Sequence, residues 1–135
     1  FKRFLKEVEL FSNQQYVYLD FNKSKRNKIL NDDIVYLSSD KQNGSESNNK
    51  QIHFINRTSE TLVDFSFSKM PEKGLPTNQF VTIHKSFRVN KKYIMHYHTK
   101  SDEVEIKVYD KEKMTKTVKL SVSENYQTVI KKIMS

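Results

Sequence analysis

The chain has 135 residues, a net charge of +8 and no cysteine. This length suits a single domain with its own core, and the missing cysteine excludes a disulfide framework, a thiolate metal site and a cysteine nucleophile. Alanine and tryptophan are absent and glycine occurs twice, so the apolar set is mostly β-branched, leucine and aromatic residues, which favours strands. The charge favours an anionic partner such as nucleic acid, an acidic protein or a membrane surface.

The first fifteen residues predict an amphipathic segment that precedes the main fold. Apolar side chains recur at helical spacing from Phe1 to Phe11, with basic residues between them. We therefore assign residues 1–15 to an N-terminal amphipathic segment and residues 16–135 to one β domain.

Short strands follow at regular intervals. Alternation of apolar and polar residues predicts them at 16–21, 34–38, 52–56, 62–68, 80–84, 87–89, 93–99, 104–109 and 117–122. The alternation is clearest at 62–68, and 80–84 with 87–89 is interpretable as one bent strand. A polar loop at 39–50, rich in Asn and Ser, interrupts the series and is expected to be mobile. The pattern predicts a mainly β fold, an antiparallel barrel or sandwich of seven or eight strands.

The chain ends in a predicted amphipathic helix at residues 123–134. Ser121 and Glu124 form a capping-box pattern at its start. Six apolar residues then recur at helical spacing: Val122, Tyr126, Val129, Ile130, Ile133 and Met134. We expect this stripe to dock on the sheet. No apolar run approaches the roughly 20 residues that a membrane span needs, and the sequence indicates no particular compartment.

Residues 95–110, MHYHTKSDEVEIKVYD, contain a spacing that can hold a metal ion. His96, His98 and Glu103 form His-x-His-x4-Glu, which resembles the first metal-binding motif of the cupin family. The glycines of that motif are absent here, and no histidine follows His98 to complete a ligand set.

Strand alternation gives a second test of that motif. It pairs Tyr97 with the apolar face of the next strand, together with Tyr93 and Met95, and leaves both histidines on the solvent face. We therefore reject a cupin site and predict no metal, with His96, His98 and Glu103 as the remaining candidate ligands. The chain also lacks a Gly-rich phosphate loop and a G-x-S-x-G elbow. The sequence predicts neither an enzyme nor a cofactor.

A basic turn between the first two strong strands is the candidate anion site. Four cations lie within six residues there: Lys23, Lys25, Arg26 and Lys28. The last third of the chain, YIMHYHT, EVEIKVYD, TKTVKLSV and SENYQTVIKKIM, orders three strands before a helix, as in the end of a pleckstrin-homology-like domain, which it resembles. The resemblance implies a barrel plugged by the helix and a non-enzymatic module that binds phosphoinositide heads or protein through such a basic loop. We predict an anionic phospholipid surface or an acidic protein as the partner.

Two other classes of β domain remain open. An immunoglobulin-like sandwich would make the chain a structural or interaction module of a surface or secreted protein, although the Cys–Trp–Cys core of that family is absent. A barrel that binds single-stranded nucleic acid would use exposed aromatic residues as stacking platforms, with candidates Tyr16, Tyr18, Tyr36 and Tyr97. Nucleic acid is the less favoured partner because no single strand interleaves exposed aromatic residues with Lys or Arg.

Overall fold

The computed structural model describes residues 15–39, 49–112 and 114–134. Ten strands lie within these residues: β1 (Tyr16–Leu19), β2 (Asn27–Leu30), β3 (Ile34–Ser39), β4 (Lys50–Phe54), β5 (Glu60–Leu62), β6 (Phe80–His84), β7 (Phe87–Asn90), β8 (His96–His98), β9 (Glu103–Asp110) and β10 (Met114–Ser121). One α-helix, α1 (Gln127–Met134), follows them. The amphipathic segment predicted at 1–15 and the polar loop predicted at 39–50 lie outside the described residues, apart from Gln15, Ser39, Asn49 and Lys50.

The strands form three antiparallel sheets. β1 and β2 make a hairpin, β5-β4-β3-β7-β6 make a five-stranded sheet, and β10-β9-β8 make a three-stranded sheet. The predicted fold class, mainly β with a C-terminal helix, is confirmed. The sheets are separate layers, and no closed barrel forms in the part of the chain that the structure describes.

The five-stranded sheet buries both of its faces. Its central strand β3 begins with four buried residues, IVYL, as expected for a strand covered on both sides. Ile34 and Leu37 join a core shared with the β1–β2 hairpin, whereas Val35 and Tyr36 join a second core with β9, β10 and α1. A register irregularity between Ile34 and Tyr36 accompanies this division. The sheet is therefore the middle layer of the domain.

One strand assigned from the sequence is wrong, and one strand was not predicted. The alternation at 62–68 predicts a strand, yet β5 ends at Leu62, Asp64 adopts a left-handed φ of 49°, and a 3-10 turn spans Phe67–Lys69. Phe65 is still buried, so the alternation at 62–68 correctly predicts a buried side chain but wrongly predicts a paired strand. The sequence does not predict β2 because Ile29 is its one buried residue and Lys28 lies in a basic run.

The C-terminal helix docks by part of its predicted stripe. A 3-10 turn at Glu124–Tyr126 precedes α1, so the regular helix is shorter than the predicted 123–134. Ile130 is fully buried in the second core, while Val129 and Met134 remain exposed. Within the described residues, no helix is long and apolar enough to cross a membrane.

Candidate functional site

The facing ends of β3 and β4, the β6–β7 turn and the segment before α1 meet at one end of the five-stranded sheet. The Ser39 N–H, at the end of β3, donates to the Ser86 carbonyl oxygen at 3.0 Å. The Ser123 N–H, ahead of α1, donates to the Ile83 carbonyl oxygen at 2.8 Å. Lys50 opens β4 directly opposite Ser39. We call this region the loop end and define it as Ser39, Lys50, residues 84–88 and Ser123.

Side-chain hydrogen bonds hold the turn between β6 and β7, which forms part of the loop end. The Ser86 N–H donates to Nδ1 of His84 at 3.0 Å. Nη1 of Arg88 donates to the carbonyl oxygens of His84 at 2.9 Å and Phe87 at 3.1 Å. These bonds bridge the two sides of the turn and leave Lys85 exposed at its tip. The turn therefore presents one flexible cation from a fixed backbone.

Two further cations of the loop end lie over the ring of Phe67. The guanidinium carbon of Arg88 is 4.1 Å from the centroid of the Phe67 ring, and Nζ of Lys50 is 5.1 Å from the same centroid. Burial and, second, the charge of Arg88 lower the pKa of Lys50. Among the described residues, the four ion pairs include neither Lys85 nor Arg88. The loop end therefore carries a positive charge suited to an anionic partner.

His53 packs beside the loop end, against Tyr36 of the second core. The ring of His53 stacks on Tyr36 with centroids 4.0 Å apart and an angle of 7°. Its Nε2 hydrogen-bonds with Oγ of Ser38 at 3.0 Å. Burial, and to a lesser degree the charge of Lys116, lowers the pKa of His53 to about 4. His53 is therefore a packing residue at neutral pH.

The predicted anion residues lie together elsewhere in the fold. The Asn22 N–H donates to the Thr61 carbonyl oxygen at 3.0 Å, which fixes the basic turn beside β5, one edge of the five-stranded sheet. The turn that carries Lys85 lies at the opposite edge, beside β6. All four predicted side chains are exposed: Lys23, Lys25, Arg26 and Lys28. The basic turn therefore lies at the opposite sheet edge from Lys85, while Lys50 of the loop end is one strand away from it, opposite Leu62 of β5.

The histidine motif lies on a third surface. His98 pairs with Glu103 and His96 with Glu105 in the β8–β9 register, and Nε2 of His98 lies 3.3 Å from Oε1 of Glu105. No group of three or more His, Asp or Glu side chains in residues 15–39, 49–112 and 114–134 is arranged to hold a metal. Tyr97 faces Val104 as the alternation predicts, but Met95 is 37% exposed and does not join the core.

The comparisons with known proteins decide the family. A sequence profile of the LytTr DNA-binding domain matches residues 24–135, well over half of the chain. The chain belongs to the LytTr DNA-binding domain family. In the comparison with curated proteins nothing matches.

A solved structure shares the fold of this LytTr domain. It is the LytTr DNA-binding domain of a protein from Bacillus cereus described as a methyl-accepting/DNA response regulator. The two superpose with a TM-score of 0.58 at 17% sequence identity, over 89% of this chain and 96% of that chain. At this identity the likeness shows the fold alone.

The pleckstrin-homology-like resemblance is wrong for this LytTr domain. The order of three strands and a helix is present, but β8, β9 and β10 form a sheet of their own and do not continue a barrel around the first strands. The helix packs by Ile130 against the core between two sheets. The order of strands and helix along the chain therefore matches the pleckstrin-homology-like pattern, but the pairing of the strands does not.

The predicted partner is also wrong. An anionic phospholipid surface or an acidic protein conflicts with membership of a DNA-binding family, and the nucleic-acid alternative lies closer to it than the main prediction. The positive charge was real, but net charge does not distinguish one anionic partner from another. A family of DNA-binding domains agrees with a binding module rather than a catalyst.

Sequence reasoning missed the cations of the loop end. Lys85 occupies the turn of HKSFRVN, between two predicted strands. A cation at the tip of a predicted hairpin was the one sequence signal that could have pointed to this site. Arg88 and Lys50 carry no such signal, since isolated cations on strands usually lie in solvent. Their proximity to Phe67 depends on the 3-10 turn, which the alternation pattern hid.

Proposed function

We propose that this LytTr domain binds double-helical DNA through its loop end. The observation that carries the proposal is the family match over residues 24–135 to a DNA-binding domain. The charges of Lys85, which is exposed, and Arg88, which is partly buried, support the location, because phosphate neutralisation by Lys and Arg supplies much of the affinity for DNA. The module acts by binding and performs no catalytic step.

The β6–β7 hairpin is the element suited to a groove. The major groove of B-DNA is about 12 Å wide and admits an α-helix or a two-stranded ribbon. The one helix in the described residues is held through Ile130 in the second core. The hairpin instead ends in a hydrogen-bonded turn in which Lys85 is exposed and Ser86 is buried. Lys85 at its tip can donate to a phosphate or to the O6 and N7 acceptors of guanine.

Neighbouring side chains add hydrogen-bonding capacity around Lys85. Ser39 and Ser123 are held against the hairpin through their backbone N–H groups, while their hydroxyl groups can donate or accept. Such groups typically contact phosphate or sugar and fix the register of a protein on the duplex. The loop end thus combines a cation that can enter the groove with polar groups that can contact the phosphates and sugars beside it.

A matched pair of lysine variants tests this proposal. Lys85→Gln removes the cation at the loop end, while Lys107→Gln removes an exposed cation from β9, which belongs to the three-stranded sheet. Affinity is measured by fluorescence anisotropy with duplexes selected from a random-sequence pool, over a salt series. We expect Lys85→Gln to weaken binding about tenfold and to reduce the slope of log affinity against log salt by about 1.

The Lys107→Gln control is expected to bind as the wild type does. Equal losses in the two variants would place the DNA elsewhere on the domain. Failure of the selection to enrich any duplex at low salt, where the electrostatic attraction is strongest, would overturn the proposal itself.

A further inference from the structure

The β1–β2 hairpin exposes an aromatic and basic face that the loop end does not include. Val17, Leu19 and Ile29 point into the first core, so the alternate residues point outward. Tyr16 and Tyr18 are 50% and 55% exposed. Nζ of Lys28 lies 4.5 Å from the Tyr16 ring centroid, and the guanidinium carbon of Arg26 lies 5.9 Å from that of Tyr18. We call these four residues the hairpin face.

This face is strongly positive. Residues 15–30 contain four cations and a single carboxylate, Asp20. Oδ1 of Asp20 accepts the backbone N–H of Arg26 at 2.9 Å, so its carboxylate holds the turn. Arg26 takes a left-handed φ of 54° there. None of the four cations enters an ion pair within the described residues.

The chemistry of the hairpin face favours phosphate over an apolar protein surface. Each outward side chain ends in a hydroxyl, an ammonium or a guanidinium group, and these groups donate hydrogen bonds to phosphate oxygens. The cations lie over tyrosine rings, which restricts them without neutralising them. Tyr16 and Tyr18 precede residue 24, so they lie outside the part of the chain that matches the family profile.

The distance between the basic turn and the Lys85 turn determines how far apart the two would contact a duplex. The basic turn lies beside β5 and the Lys85 turn beside β6, the two edges of one five-stranded sheet. Four strand spacings of about 4.8 Å separate these edges by roughly 19 Å. At 3.4 Å per base pair, this distance is about six base pairs of duplex.

We propose that the hairpin face and its basic turn bind phosphates of the same duplex, outside the segment held at the loop end. The proposal rests on the proposed function and extends it to a second, sequence-independent contact. The residues that carry it are Tyr16, Tyr18, Lys23, Lys25, Arg26 and Lys28. The contact lengthens the DNA footprint by about six base pairs on one side.

The test compares two duplexes and two double variants. The short duplex contains only the selected site, and the long duplex adds about eight base pairs on each side. Arg26→Gln with Lys28→Gln removes two cations of the hairpin face, and Lys107→Gln with Lys119→Gln removes two exposed cations of the three-stranded sheet. Affinities are measured by anisotropy across a salt series, with the full 135-residue chain.

We expect the wild type to bind the long duplex about tenfold more tightly than the short one. Its salt slope on the long duplex is expected to be steeper by about 2. The hairpin variant loses this gain and binds both duplexes as the wild type binds the short one, whereas the control variant keeps the gain. Lys23→Gln with Lys25→Gln, in the turn, gives an independent measurement should the first variant not fold.

The outcomes separate the two proposals. Absence of wild-type binding to either duplex overturns the proposed function. Equal wild-type affinity for the two duplexes, or a gain that survives in both hairpin variants, overturns the second contact and leaves the loop end standing. A hairpin variant that changes self-association in sedimentation, with DNA affinity unchanged, also overturns it and assigns the face to a second copy of the chain.

Discussion

The guanidinium of Arg88 stacks on the ring of Phe67, 4.1 Å from its centroid, while Nη1 of the same side chain holds the β6–β7 turn through two carbonyl oxygens. Arg88 thereby connects the 3-10 turn Phe67–Lys69 to the turn that presents Lys85. A cation–π contact contributes about 0.5–2 kcal/mol according to its exposure to water. We therefore expect the stack to help position the proposed DNA-binding turn.

Loss of the stack is expected to weaken DNA binding without a change of charge. Phe67→Leu keeps an apolar side chain at this position but removes the aromatic face, so Arg88 loses its platform. We expect about a threefold loss of duplex affinity at constant salt slope, measured by anisotropy, because no phosphate contact is removed. Arg88→Lys is expected to lose more, since the ammonium cannot reproduce the planar fork.

The salt slope distinguishes positioning from direct contact at Arg88. A slope reduced by about 1 in Arg88→Gln, which removes the charge that Arg88→Lys keeps, would show that Arg88 binds phosphate directly. Wild-type affinity in Phe67→Leu, with its fold verified by thermal unfolding, would contradict the positioning role.

His53 is expected to make stability depend on pH in one window. Burial lowers its pKa from 6.5 to about 4, so between these values the unfolded chain binds more protons than the folded one. The free energy of unfolding therefore decreases as pH falls from about 6.5 to 4, by roughly 3 kcal/mol from this residue, and His53 adds no slope above the window. Urea unfolding of wild type and His53→Gln at several pH values measures the difference. Parallel pH profiles would contradict this assignment.

Asn90 connects the end of β7 to the start of β3. Its fully buried amide donates from Nδ2 to the Ile34 carbonyl oxygen at 3.0 Å and accepts the Lys92 N–H at Oδ1 at 3.1 Å. Asn90→Ala leaves both partners unsatisfied, with an expected loss of about 2 kcal/mol in chemical denaturation. Asn90→Asp preserves only the acceptor and is expected to be less stable than the wild type as well. A loss below about 0.5 kcal/mol in Asn90→Ala would show that water replaces the amide.

Gly74 permits the close approach of a loop to the β1–β2 hairpin. Its φ is 90°, and a Cβ at this position would lie 2.7 Å from Cγ1 of Val17. Gly74→Ala is therefore expected to destabilise the domain by at least 1 kcal/mol, measured by thermal unfolding. Combining it with Val17→Ala relieves the contact but not the backbone strain, so the two losses are expected to be less than additive. Full additivity would show that the steric contact is absent.

Alternation predicted which residues are buried better than it predicted which strands pair. Val104, Ile106 and Val108 are buried as the period of two requires. Phe65 is also buried, yet no β-strand contains it, because the chain leaves β5 at Leu62 and bends through Asp64. Three separate sheets depend on long-range pairing, such as β3 with β7, which local periodicity does not encode.

The proposed DNA-binding site was less predictable than the fold. A run of four cations identified the basic turn, because the residues are adjacent in sequence. Lys50, Lys85 and Arg88 come together only through folding, and each is an ordinary cation on a strand or turn when considered alone. The aromatic and basic alternation sought along single strands exists across the β1–β2 pair, where Lys28 faces Tyr18 in register and lies over Tyr16.

The most direct test of the central claim is the map of backbone amide signals that shift when a selected duplex is added to ¹⁵N-labelled protein. We predict the largest shifts at Ser39, Lys50, residues 84–88 and Ser123, decreasing as salt is raised. Lys107 and Lys119, on the three-stranded sheet, are predicted to keep their positions. Shifts confined to that sheet or to α1, with the loop end unchanged, would contradict the account.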